Sequence, residues 1–127
     1  MTYADRDTYN GSWKNDMRNG QGVYTSYNGD KYTGEWRDDK KCGKGTMTYG
    51  VNAKYEGQWK NDKKNGIGVQ KYSNGDRYEG DWLDDERAGR GILYHPNGDR
   101  FDGVWSEDKI GEKGNVEALN YRSLLLR

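Results

Sequence analysis

Two side chains in this sequence could serve as a nucleophile and its base: Cys42 and His95, the one cysteine and the one histidine in the chain. A Cys/His pair works only when the two meet in space, and these lie in different parts of the sequence. Zinc would need further Cys or His ligands close to Cys42, and none is near. Asp16, Asp39, Asp62, Asp85 and Asp108 offer a row of carboxylates, but each sits in a short polar stretch at the same spacing as the others. Asp in such a stretch stabilises a tight turn by bonding its own backbone, and turn chemistry is preferred here to metal binding. Gly66-Ile67-Gly68 is followed by no helical pattern, so it is not a dinucleotide fingerprint. The expectation is a chain with no catalytic residue, no cofactor and no metal.

The regular spacing of the aspartates leads to the elements that carry them. The word Tyr-Glu-Gly-Gln-Trp at 55–59 recurs with variation at 9–13, 32–36, 78–82 and 101–105, a period of 23 residues. Its first aromatic is Tyr9, Tyr32, Tyr55, Tyr78 and Phe101; its glycine is Gly11, Gly34, Gly57, Gly80 and Gly103; its last residue is Trp13, Trp36, Trp59, Trp82 and Trp105. All five tryptophans of the chain fall in that column. A second pair of glycines follows each of the first four words, ending in Gly22, Gly45, Gly68 and Gly91. Asn28-Gly29, Asn74-Gly75 and Asn97-Gly98 then precede the next copy. Self-similarity at such a period marks a repeat architecture.

Within one copy, Tyr55, Gly57 and Trp59 alternate with Glu56, Gln58 and Lys60, the period-two signature of a strand with one aromatic and one wet face. Residues 61–65 read as a polar turn, and 66–72 as a second strand with Gly68, Gln70 and Tyr72 on one face. Asn74-Gly75 predicts a type I′ hairpin turn. Hairpin follows hairpin, so the predicted fold is all-β: one antiparallel layer, a twisted open ribbon of nine strands about 40 Å long at about 4.8 Å per strand. Gly29, Gly75 and Gly98 suit turns. Gly57 sits mid-strand, and its column is read as room into which neighbouring rings lean flat.

Composition sets the limits. Of 127 residues, 31% are hydrophobic and 33% charged, too few apolar side chains for an aliphatic core of ordinary volume. The aromatic side chains must supply the buried area instead. Basic and acidic residues are equal at 21 each, which gives no general attraction to nucleic acid. No run of about 18 apolar residues is present, and Met1-Thr2-Tyr3-Ala4-Asp5 does not read as a signal peptide. A single cysteine fits a reducing, cytoplasmic setting.

The sequence YEGQWKNDKKNGIGVQKYSNGDRY and its copies resemble the MORN (membrane occupation and recognition nexus) repeat family. The resemblance divides the chain into the tail of a preceding repeat (1–8), an array (9–31, 32–54, 55–77, 78–100 and a partial 101–114), and a C-terminal cap or linker (115–127). In that last segment Val116, Leu119 and Ser123 recur at helical spacing, and the reading is a short helix or cap, or the start of something longer. The incomplete first copy suggests a piece of a longer protein. Departures from the family are Asp where it often has glycine in the turn, and Asn19, Cys42, Asn65 and Ala88 where it often has histidine. The second copy reads Gly50-Val51-Asn52-Ala53 in place of the Asn-Gly turn.

The resemblance implies a scaffold: similar proteins join partners at cytoskeletal and membrane-junction structures, often as dimers through the terminal repeats, and similar repeats occur attached to lipid kinases and a methyltransferase. Its structural carriers here are the aromatic column and Tyr72, whose Tyr and Trp rings are residue types that anchor partners. The alternative is weak binding to anionic lipid through Lys31, Lys54 and Arg77, with Lys40, Lys41, Lys63 and Lys64 in the polar turns. Against it, Lys54 and Arg77 precede Glu56 and Glu79, and residues 78–100 hold three basic against six acidic side chains.

Overall fold

The structure, a computed structural model, describes residues 6–110. Ten strands form one antiparallel sheet whose spatial order is the chain order. They are β1 (Thr8–Lys14), β2 (Met17–Thr25), β3 (Lys31–Arg37), β4 (Lys40–Tyr49), β5 (Ala53–Lys60), β6 (Lys63–Lys71), β7 (Arg77–Leu83), β8 (Glu86–Tyr94), β9 (Arg100–Ser106) and β10 (Lys109–Ile110). The tenth strand, beyond the nine expected, arises because the fifth copy closes a hairpin of its own, β9–β10. Residues 1–5 of the expected tail and the whole 115–127 segment lie outside the described residues.

The two turns of each repeat exchange the roles given them by sequence. The polar stretch 61–65 shrinks to a two-residue loop, Asn61-Asp62, with φ of 50° and 71°, and Lys60 pairs with Lys63 across it. Positive φ at both central residues is the type I′ geometry, whose twist matches that of the flanking strands. β6 therefore starts at Lys63 rather than at Gly66. At Asn74-Gly75 only the glycine has positive φ, 96°. There Gly75 N–H donates to the Tyr72 carbonyl at 2.9 Å, and Tyr72 N–H to the Asp76 carbonyl at 2.8 Å. That is a three-residue hairpin loop ending in a left-handed residue, not a type I′ turn. In the second copy Gly50, the first residue of the loop, carries the positive φ instead.

β5 and β6 do not pair evenly. Gly57 faces Gly68 and Trp59 faces Lys64, so Gln58 alone stands against residues 65–67. The bulge bends the strand and needs a left-handed residue, supplied by Gly66 at φ 91°. Gln58 Oε1 accepts the Ile67 N–H at 2.8 Å, so the backbone donor freed at the bulge is satisfied. Glu35 and Asp81 do the same for Lys44 and Arg90 in the neighbouring copies. Equivalent register shifts recur between β1 and β2, β3 and β4, and β7 and β8.

All the core lies on one face. Tyr9, Tyr32, Tyr55, Tyr78 and Phe101 are fully buried, with Trp36, Trp59, Trp82, Trp105 and Leu93 beside them. A lone hairpin is marginal in water; here each hairpin shares its rings with the next, and stability is collective along the array.

Candidate functional site

The aromatic face is built from four period-23 columns. The first two are the tyrosines and tryptophans. Tyr55 lies between its own Trp59 and the next copy's Trp82, with ring centroids at 5.1 and 5.3 Å and planes at 85° and 87°. The same edge-to-face contact links Tyr9 to Trp36, Tyr32 to Trp59, and Tyr78 to Trp105. The rings thus form a herringbone, not the flat side-by-side stack expected, because the positive ring edge seeks the negative ring face. The polar handles of the buried tyrosines and tryptophans are satisfied: Tyr55 Oη donates to the Gln58 carbonyl at 2.8 Å, and Trp82 Nε1 to the Gly68 carbonyl at 3.2 Å. Burial pushes the Tyr32, Tyr55 and Tyr78 phenols well above the usual tyrosine range, and Tyr49 up to about 12.

The glycines divide by cause. At Gly68 a Cβ would overlap the Tyr55 ring, whose Cε1 lies 2.5 Å from that position. At Gly57 a Cβ would meet the Ile67 carbonyl oxygen at 2.6 Å and the Tyr55 hydroxyl at 2.7 Å. The tyrosine ring of each copy is therefore laid across the glycine that ends its second pair, Gly22, Gly45, Gly68 or Gly91. The mid-strand glycines Gly11, Gly34, Gly57 and Gly80 let the two backbones of the hairpin approach. Gly103 pairs with Gly91 and is buried.

The third column, absent from the sequence-level reading as a set, is Arg18, Lys41, Lys64 and Arg87. These cations lie over Trp36, Trp59, Trp82 and Trp105 at 4.6, 4.8, 5.0 and 4.7 Å. Their 23-residue spacing is visible in the sequence; that each caps the ring of the following copy is not, because it depends on the I′ loop at Asn61-Asp62 and its equivalents, which aim them. Burial lowers the Lys41 and Lys64 ammonium groups, while Asp62 and Asp85 pull the other way. Lys41 and Lys64, two of the expected lipid contacts, thus rest on the aromatic layer, whereas Lys40 and Lys63 are exposed.

The fourth column is aspartate. It does not bond its own turn, as expected, but the copy before it. Asp39, Asp62, Asp85 and Asp108 each accept, through Oδ1, the backbone N–H of Arg18, Lys41, Lys64 and Arg87, at 2.7 to 2.8 Å. Their own N–H groups donate back to the same residues' carbonyls at 3.0 to 3.1 Å. The ladder between copies is thereby extended past the last β-pair. Left-handed Asp is less comfortable than the family's glycine, and these inter-repeat bonds offset that cost. Arg18, through its backbone and side chain, holds the Asp39 carboxyl below the usual carboxylate range. A depressed carboxylate stabilises the fold above its unfolded pKa, and that contribution is lost as pH falls through the folded value. Urea midpoints measured from about pH 5 to about pH 3 should therefore fall less steeply for Asp39→Asn than for the parent chain.

On the other face, Lys54 Nζ lies 2.7 Å from Glu56 and Arg77 Nε 2.8 Å from Glu79. Lys31 is exposed at the start of β3. Cys42, on β4, is half-buried and its thiol is raised by that burial. His95 follows β8, four strands away, and its Nδ1 lies 2.7 Å from Asp76 Oδ1. The His95–Asp76 pair joins two successive return turns. No sequence signal short of the register predicted it.

The fold and site define a tandem β-hairpin repeat protein with a single aromatic layer. The MORN repeat family model matches residues 9–31, 32–52, 55–77 and 78–100, and the chain belongs to that family. The second match stops at the altered turn, Gly50-Val51-Asn52. Comparison with curated proteins gives no match. No helix among the described residues is long and apolar enough to cross a membrane.

Proposed function

We propose that this chain is a non-catalytic scaffold that binds protein partners along its aromatic face and self-associates through its terminal repeats. The observation that carries this reading is the one-layer sheet. Among the described residues no second sheet or helix packs on the aromatic face; its rings are covered only by side chains of the same sheet, of which Tyr24, Met47, Tyr49 and Tyr72 stay partly open to solvent. Rigid, half-exposed aromatic and Met side chains on a stiff ribbon are what a partner can anchor on. The work belongs in the cytoplasm, at the cytoskeleton or a membrane junction, in keeping with the family resemblance.

The lipid reading has less behind it. Lys54 and Arg77 face carboxylates on their own strands, and Lys41 and Lys64 are engaged with rings. Exposed pairs of this kind are worth little in stability, but they leave less net charge for a headgroup. Co-sedimentation with phosphoinositide vesicles at two salt concentrations separates the readings. Salt-sensitive pelleting would favour lipid. A protein partner captured by the full-length protein, and a light-scattering mass above that of the monomer, would support the scaffold; a monomer that captures nothing would refute it.

A further inference from the structure

The column at the end of the second strand of each repeat reads Ser26, Tyr49, Tyr72 and His95. In the later copies this position supplies a ring to the aromatic face. The Tyr49 ring lies 5.3 Å from Lys64 Nζ, the Tyr72 ring 5.9 Å from Arg87 Cζ, and the His95 ring meets Phe101 edge-to-face at 5.1 Å. Each tyrosine precedes the cation that it meets by 15 residues. The residue in that relation to Lys41 is Ser26, which has no ring to offer. A cleft of about 400 Å³ lies there, bounded by Ser26, Tyr32, Trp36, Lys41 and Met47.

We propose that this cleft receives the side chain of a tyrosine from a partner polypeptide, placed where Tyr49 and Tyr72 stand in the following repeats. The repeats themselves supply the template. The backbone at Ser26 matches that at Tyr72: Ser26 N–H donates to Asp30 and Gly29 N–H to Ser26 at 2.8 and 2.9 Å, against 2.8 and 2.9 Å for the Tyr72 pair. The floor is a buried tyrosine edge-on to two tryptophans, as beneath Tyr49. The Lys41 ammonium, already over Tyr32 and Trp59, is a cation that a further ring face complements. Asp30, Asp39 and Asp62 also line the cleft, against Arg18 and Lys41; Arg18 is already paired with Asp39 at 3.0 Å, and the remaining balance of carboxylates disfavours a phosphorylated ring or a lipid phosphate. A neutral phenol satisfies both conditions. This inference rests on the scaffold reading and names the chemistry of one anchor.

The test uses p-cresol as probe and the full chain with labelled Lys41 and Met47. Saturable shifts at both residues are expected in the parent chain. At least a tenfold weaker response is expected with phenyl phosphate. Ser26→Tyr, which fills the cleft as the later copies do, should melt at or above the parent temperature and lose the p-cresol response. The idea is overturned if the parent chain shows no saturable shift there, if phenyl phosphate binds as well, or if Ser26→Tyr still binds p-cresol. Magnetisation transfer to the Met47 methyl from a tyrosine of this chain outside residues 6–110 would also overturn it, since the occupant would then be internal. The parent titration decides even if the variant misfolds. A partner captured equally by parent and Ser26→Tyr leaves the scaffold standing and refutes this anchor. Failure to capture any partner refutes the scaffold, while the p-cresol result stands by itself.

Discussion

Gly68→Val is expected to destabilise the array by about 3–5 kcal/mol, the range for losing a large buried aromatic. A Cβ at Gly68 overlaps the Tyr55 ring, which is fully buried and cannot slide aside. Its hydroxyl is tied to Gln58, and Trp59 and Trp82 stand on either side. The ring must leave or the strands must part, and either exposes the layer. Gly57→Val should fall in the same class for another reason: its Cβ would meet backbone, the Ile67 carbonyl, which has no rotamer to adopt. The control is Gly29→Ala. Gly29 has φ 100° but nothing within 4 Å of the added Cβ, so only the left-handed backbone is strained, at about 1–2 kcal/mol. Urea unfolding followed by tryptophan fluorescence gives the three values. Equal losses at Gly68 and Gly29 would mean that the glycine column serves conformation alone and that the ring-over-glycine model is wrong.

The second large effect concerns where a tryptophan stands in the array. Trp82→Ala should cost about 3–5 kcal/mol, and Trp13→Ala well under half as much. Trp82 is 5% exposed, touches Tyr55 and Tyr78, donates to Gly68 and carries Lys64 on its face. Trp13 is 42% exposed and meets Tyr9. Trp82 is also the bond between copies, since its partners Tyr55 and Gly68 belong to the preceding repeat. Its loss should weaken coupling more than it weakens either repeat. In a quasi-one-dimensional protein that broadens or splits the transition and lowers the apparent m-value. Calorimetry of both variants reads this directly. A sharp single transition for Trp82→Ala, at the midpoint of Trp13→Ala, would show that the herringbone does not carry the coupling.

Much of this protein was legible from its residues. A 23-residue period, alternating aromatic and polar positions, and Asn-Gly pairs point to consecutive hairpins: a helix would also bring Tyr55 and Trp59 to one side, but Gly57 between them and turn residues at both ends of so short a word disfavour it. Five tryptophans at one spacing require a shared layer, and the shortage of aliphatic residues leaves nothing else to build it from. Nine of the ten rings in the two aromatic columns are buried in it, while Trp13 is 42% exposed.

Contacts between copies were not legible. Local pattern reports which way a side chain points within its strand, not which strand it will meet. The Asp62 carboxylate reads as a turn residue until the sheet brings Lys41, 21 residues back, to its side. The cations over the tryptophans, the His95–Asp76 pair and the cleft at Ser26 exist only once β-strands from neighbouring repeats are in register. Register turns on the I′ loop and the bulge. A two-residue loop at Asn61-Asp62, in place of the longer one expected, changes which side chain faces which for the rest of the hairpin. Sequence alone determined that these hairpins share one aromatic layer. The tertiary structure decided what lies on that layer, because each cation there caps a tryptophan of the next repeat and is bonded by that repeat's aspartate.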